Sequence, residues 1–125
     1  LPKAARILRS CGDDLPLWSG NDDLTVPLLS LGAKGVISVL SNVRPKRTLQ
    51  MVRACQAGDY AAAGRMQVAL TPLIDALFSE INPIPVKQAL SLMGIPAGLP
   101  RLPLTPLSAT HLPALEQALS AAPEP

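Results

Sequence analysis

The run Gly35-Val-Ile-Ser-Val-Leu40 is β-branched and apolar with almost no alternation, the pattern of a strand buried on both faces of a parallel sheet. Upstream, Leu15-Pro-Leu-Trp-Ser19 is a second short apolar run; Pro16 is compatible with a strand if it stands at its first position. Between the two lie Gly20, Asn21, Asp22 and Asp23, then an apolar helix-length segment to Leu31, closed by Gly32. Asp22 or Asp23 can cap that helix, where acidic charge suits the positive end of the dipole. Strand, helix, strand is a βαβ unit with a right-handed crossover. Its parallel strands end on one sheet edge. Ser19-Gly20-Asn21-Asp22 and Leu40-Ser41-Asn42 are therefore expected to face one space, and ligands bind at that edge in parallel α/β folds.

Two strands do not make a stable α/β domain, and the buried run demands neighbours on both sides. The missing strands are expected upstream in a longer chain or from another molecule. The composition sets further bounds. With 125 residues, 48% hydrophobic and 16% charged, the chain is more apolar than soluble domains, which average about 25% charged residues. Disorder of the whole is excluded, since it needs low hydrophobicity and high net charge. No window approaches the ~18 apolar residues of a membrane span. Trp18, Tyr60 and Phe78 are the only aromatics, so the core rests on aliphatic packing. A net charge of +2 with so few rings to stack on bases argues against nucleic acid. The chain opens on Leu1 without a charged and then apolar leader, so secretion is not indicated. Cys11 and Cys55 are too few and too far apart for a zinc site or disulfide framework; both are expected as reduced thiols.

Helices surround this unit. Pro2 to Ser10 reads as the end of a helix, stopped by Gly12. Arg44 to Ala57 begins at Pro45, places Leu49 and Val52 inward with Cys55 a further candidate, and stops at Gly58. Asp59 caps a long helix with the stripe Met66, Leu70, Leu73, Ile74, Leu77 and Phe78, which Pro72 is expected to kink. Pro83 or Pro85 opens another helix through Val86, Leu90 and Met93 to Gly94. An extended proline-rich stretch, Ile95 to Pro106, leads to a last helix, Leu107 to Ala122, and a frayed Pro123-Glu124-Pro125.

No catalytic motif stands alone. His111 is the only histidine and lacks placed partners for a metal site or triad, so a solvated or capping role is expected. Asp22 and Asp23 could act as a general acid/base pair, but adjacent acids before a helix are more often caps. Arg44, Lys46, Arg47 and Arg53 read as a solvated basic face. A Schiff-base lysine must be desolvated and reach the substrate edge. Lys34 precedes its strand and so lies at the opposite end of the sheet; Lys3 and Lys46 have polar neighbours; Lys87 lacks strand-end geometry. None qualifies.

Four blocks carry a resemblance: Ser19-Gly-Asn-Asp-Asp23, Gly32-Ala-Lys-Gly-Val-Ile-Ser-Val39, Asn82-Pro-Ile-Pro-Val-Lys87 with Met93-Gly94, and Arg101-Leu-Pro-Leu-Thr-Pro-Leu107. In this order and spacing they resemble the C-terminal part of the dihydrodipicolinate synthase family, over essentially the whole chain. The resemblance implies an α/β fold, the last two strands of a (β/α)8 TIM barrel plus a helical C-terminal extension. Residues 1–58 would end the barrel, with Leu15 to Ser19 its seventh strand and Gly35 to Leu40 its eighth. Residues 59–125 would be the extension. The implied activity is a lyase-type condensation of pyruvate with aspartate semialdehyde through a lysine Schiff base, in lysine and diaminopimelate synthesis. The enzyme would be cytoplasmic and homotetrameric, with no cofactor and no metal. Ile37 matches the family's pyruvate-lining isoleucine, and Gly20 the glycine that lets backbone approach the keto acid. Asn21 departs from the aspartate of many members. The Schiff-base lysine, the catalytic tyrosine and the threonine pair would all lie outside this chain, and Tyr60 is not that tyrosine. Alternatives are a sister pyruvate-dependent aldolase or a non-catalytic helical interaction module.

Overall fold

The computed structural model describes residues 1–124. Six helices surround one pair of short strands: α1 (Pro2–Cys11), β1 (Trp18–Ser19), α2 (Thr25–Ser30), β2 (Gly35–Val36), α3 (Pro45–Gln56), α4 (Tyr60–Leu77), α5 (Ile84–Leu92) and α6 (Leu112–Ala121). The two strands are parallel, in the register Trp18 to Gly35 and Ser19 to Val36. The βαβ unit of the sequence is present, but both strands are shorter than expected. Val39 already has helical backbone angles, and Leu40–Asn42 forms a 3-10 turn. The expected burial on both faces is also absent among the described residues, where Ile37 is 75% exposed.

Helix ends follow from local chemistry. Gly32, at φ 106°, ends α2: its N–H bonds the Leu29 carbonyl at 3.0 Å and the next amide, of Ala33, bonds that of Leu28 at 3.0 Å. Gly58, at φ 80°, ends α3 with the same pair of bonds, to Cys55 and Ala54. Both glycines occupy a left-handed conformation that side-chain-bearing residues resist. One residue later, Asp59 starts α4 by accepting from the Ala62 amide at 2.9 Å, as its position predicts. Helix α4 runs through Pro72 without a break in its assignment. Pro85 lies in the first turn of α5, whereas the last helix starts at Leu112, five residues later than expected.

The core lies where α3 and α6 pack against α4. Leu70, Leu73, Ile74 and Leu77 are buried as the stripe requires, while Phe78 falls just past the helix and is 44% exposed. In α3 the phase differs from expectation. Thr48, Met51 and Cys55 face inward at helical spacing, and Leu49 is 48% exposed. Burial pushes the Cys55 thiol up, and both cysteines are free.

Arg44 departs from the solvated reading of the basic cluster, whereas Lys46 and Arg53 are exposed as that reading expects. Arg44 is 6% exposed. Its Nη2 donates to the Leu119 carbonyl at 2.7 Å, its Nη1 to the Val43 carbonyl at 2.7 Å, and its Nε to the Ala122 carbonyl. Two of those acceptors lie at the C-terminal end of α6, where helix carbonyls lack partners. Burial draws the guanidinium down from its ordinary value, opposed by the charge of Glu124. The tail expected to fray is held too: Arg47 Nε donates to the Pro123 carbonyl and the Lys46 amide to Glu124 at 3.3 Å. Pro125 lies outside the described residues.

The extended stretch is pinned by Glu80, whose Oε1 accepts from the Ser108 amide at 3.0 Å and hydroxyl at 2.5 Å. His111, at the start of α6 without a side-chain cap bond, stands 4.0 Å from the same oxygen. The Ser108 bonds, aided by the nearby His111, hold the Glu80 carboxyl below its ordinary value. A lowered folded value means that the contact stabilises above the ordinary glutamate range and is lost as pH falls through the folded value. The Ser108 amide resonance should therefore titrate with a midpoint below that of a free glutamate, and Glu80→Gln should remove the titration. A midpoint at or above the free value would contradict the clamp.

Candidate functional site

Strand pairing continues beyond β1 and β2. The Lys34 amide donates to the Leu17 carbonyl and the Ile37 amide to the Ser19 carbonyl, both at 2.8 Å. Extending the register pairs Gly20 with Ile37. Since side chains alternate along a strand, Ser19 and Val36 share one face, and Trp18, Gly35 and Ile37 share the other. The first face is covered, with Ser19 fully buried; on the second, Trp18 is 53% exposed. Ser19 also shapes the turn that follows, because its hydroxyl donates to the Asn21 carbonyl at 2.7 Å and accepts from the Asn21 amide at 3.2 Å.

The expected meeting of the two strand ends is present, and Asp22 makes it. Its Oδ2 accepts from the Val39 amide at 2.9 Å and the Leu40 amide at 3.0 Å. Asp22 is 1% exposed. Its Oδ1 has no hydrogen-bond partner among the described residues. This corrects the capping expectation: neither Asp22 nor Asp23 makes a side-chain cap bond to the helix that follows. It also removes the acid/base pair, since Asp22 is occupied inside while Asp23 is exposed. From α4, the Gln67 amide group reaches the same loop. Its Nε2 donates to the Asp22 carbonyl at 3.0 Å, and its Oε1 accepts from the Val26 amide at 3.3 Å. The only sequence signal for Gln67 is a polar residue on the buried side of a helix.

Beside these ends lies a cleft of about 580 Å³, with Gly20, Ile37 and Ser38 on one side and Asn82, Val86 and Lys87 on the other. Gly20 and Ile37 thus share one wall, facing the start of α5. At Gly20 a Cβ would meet nothing within 4 Å, so the backbone is open there. Lys87 is engaged, donating from Nζ to the Ala97 carbonyl at 2.7 Å and that of Leu99 at 3.2 Å. Both bonds tie the end of the side chain to the backbone of the stretch after α5. Among the described residues, no three histidine, cysteine or carboxylate side chains converge to hold a metal, and no helix is long and apolar enough to cross a membrane.

The sequence profile of the dihydrodipicolinate synthetase family matches residues 1–122. The chain belongs to this family. Among curated relatives, the 4-hydroxy-tetrahydrodipicolinate synthase of Archaeoglobus fulgidus is 52% identical over 108 residues, 86% of this chain and 37% of that protein. That of Acetivibrio thermocellus is 44% identical over 117 residues, covering 94% and 40% respectively. Among solved structures, dihydrodipicolinate synthase from Cyanidioschyzon merolae with lysine bound superposes with a TM-score of 0.91 at 43% identity, over 97% of this chain and 41% of that one. The chloride-inhibited family enzyme from Acinetobacter baumannii, complexed with pyruvate, gives 0.90 at 36% identity over 96% and 41%. The chain therefore spans about two fifths of the length of the relatives it matches.

The paired amides on one carboxylate oxygen set a testable cost. Hydrogen bonds to a charged group contribute about 1.5–3 kcal/mol each, and orphaned buried donors add desolvation cost. The unpartnered Oδ1 offsets part of this. Asp22→Ala should lower the stability of the chain by about 2–4 kcal/mol in urea unfolding, with loss of hydrogen-exchange protection at Val39 and Leu40. A loss below about 0.5 kcal/mol would show that the carboxylate does not hold the strand ends.

Proposed function

We propose that the chain is the C-terminal part of a 4-hydroxy-tetrahydrodipicolinate synthase, a lyase of lysine and diaminopimelate synthesis. Residues 1–58 would carry the last two strands of a (β/α)8 barrel, and residues 59–125 its helical extension. The observation that supports this most directly is the common wall of Gly20 and Ile37 at the carboxyl ends of two parallel strands, the edge where barrel enzymes build their sites. The exposed apolar face below them agrees with it, since the remaining strands of a barrel would cover that face.

In this reading the chain supplies one wall of the pyruvate pocket. Gly20 lets backbone approach the keto acid, and Ile37 packs against it and keeps water away. The reaction starts on a lysine outside this chain: its amine condenses with the pyruvate ketone, water leaves, and the derived enamine carbon attacks the aldehyde of aspartate semialdehyde. No residue of this chain is a catalytic residue, and no cofactor or metal is required. The complete enzyme would be cytoplasmic and homotetrameric.

A chimera joining the remaining segment of the Archaeoglobus fulgidus synthase to this chain tests the reading. Borohydride with pyruvate should leave the mass of the chain alone unchanged and add a reduced adduct to the chimera, in the donor segment. The chimera should also condense pyruvate with aspartate semialdehyde. In it, Ile37→Ala should raise the pyruvate KM about tenfold, the effect of losing roughly 1–2 kcal/mol of apolar contact. An adduct on Lys34 or Lys87 of the chain alone would overturn the assignment, and preference for another aldehyde would make it a sister aldolase.

A further inference from the structure

The face that carries Gly20 and Ile37 has a second layer. Two residues back on each strand stand Trp18 and Gly35, directly paired across the ladder and on the same face by alternation. Two strand residues rise about 6.6 Å, so this pair lies one layer beneath the cleft wall. The indole does not project freely from its strand. Its six-membered ring lies over Gly35: a Cβ built there would stand 2.5 Å from Trp18 Cζ3 and 2.8 Å from Cε3. No side chain larger than hydrogen fits under the ring in this position. Gly35 is buried, while Trp18 keeps 53% of its surface exposed.

A large ring packed closely against a glycine, half exposed and one layer beneath the cleft wall, has the geometry of a layer filler. Barrel interiors are filled by such layers, contributed from neighbouring strands beneath the carboxyl-end site. We propose that Trp18, seated on Gly35, is the floor of the keto-acid pocket and limits the length of keto acid it admits. This rests on the assignment of Gly20 and Ile37 to that pocket. The ring excludes water from below the reacting keto acid. On the floor side its bulk, which a smaller residue would not supply, leaves space for the methyl group of pyruvate and little beyond it, while the cleft side stays open to the aldehyde that the enamine carbon attacks. The chain's only tryptophan is then also a spectroscopic reporter of occupancy.

The chimera described above, with tryptophans of the donor segment replaced by phenylalanine, tests this without altering Trp18. Pyruvate is titrated while emission is followed, and each sample is then reduced with borohydride and weighed. The expected result is a saturable emission change whose midpoint matches that of adduct formation. Adduct without an emission change would overturn the floor. Failure to form any adduct would overturn the functional assignment itself, and the floor with it. In a second measurement, Trp18→Leu should raise the ratio of kcat/KM for 2-oxobutanoate over pyruvate about tenfold, the discrimination typical of one methylene. Damage to folding alone would lower both values together, and a ratio within twofold of the unsubstituted chimera would refute the limit on length.

Discussion

One carboxylate oxygen joins the two strand ends. A two-residue parallel ladder has few bonds of its own, and its strands diverge as soon as pairing stops. Asp22 Oδ2 gathers the Val39 and Leu40 amides just where β2 gives way to a 3-10 turn. That fixes the loop after β1 against the loop after β2. Gln67 then anchors the same loop to α4 through the Asp22 carbonyl and the Val26 amide, so the longest helix is tied to the strand edge. The cleft wall follows from this arrangement: Gly20 precedes Asp22 by two residues, and Ile37 precedes Val39 by two.

Arg44 plays the corresponding part at the other end of the core. Helix α6 carries no basic residue in its last turn, and no glycine follows it, so its terminal carbonyls need a donor from elsewhere. The guanidinium of Arg44 reaches the Leu119 and Ala122 carbonyls from the start of α3. A planar fork with several N–H groups suits this task, where an ammonium would act as a single point charge. Burial of the charge costs desolvation, which the hydrogen bonds and the nearby Glu124 offset. The carboxyl end of the described chain is thereby tied to the element that follows the second strand.

The elements that could be read from the sequence are those set by local chemistry. Gly32 and Gly58 stop their helices, Asp59 starts one, and the α4 stripe is buried through Leu70, Leu73, Ile74 and Leu77. The parallel βαβ unit and the shared strand edge were also legible, because alternation and order along the chain encode them. Two readings differ from the structure for one reason: neighbours in sequence suggest a cap at Asp22 and a solvated Arg44, while the environments of both come from residues far along the chain. Asp22 bonds amides 17 and 18 positions away, and Arg44 bonds carbonyls 75 and 78 positions away. The run Gly35 to Leu40 misled in a related way, since apolar residues continue past the point where the backbone turns out of the strand. Ile37 and Gly20 came from resemblance; the register alone puts them side by side.

The two faces of the small sheet differ. On one face Ser19 is fully buried beneath the helices, and on the other Trp18 and Ile37 stand 53% and 75% exposed. A soluble protein does not ordinarily leave a contiguous apolar patch open without a partner for it. Yet this face carries a tryptophan fitted to a glycine, and fitted packing of that kind belongs to an interior. The proposed barrel would supply that interior from the remaining strands, with the bulky ring beneath the wall that Gly20 and Ile37 form.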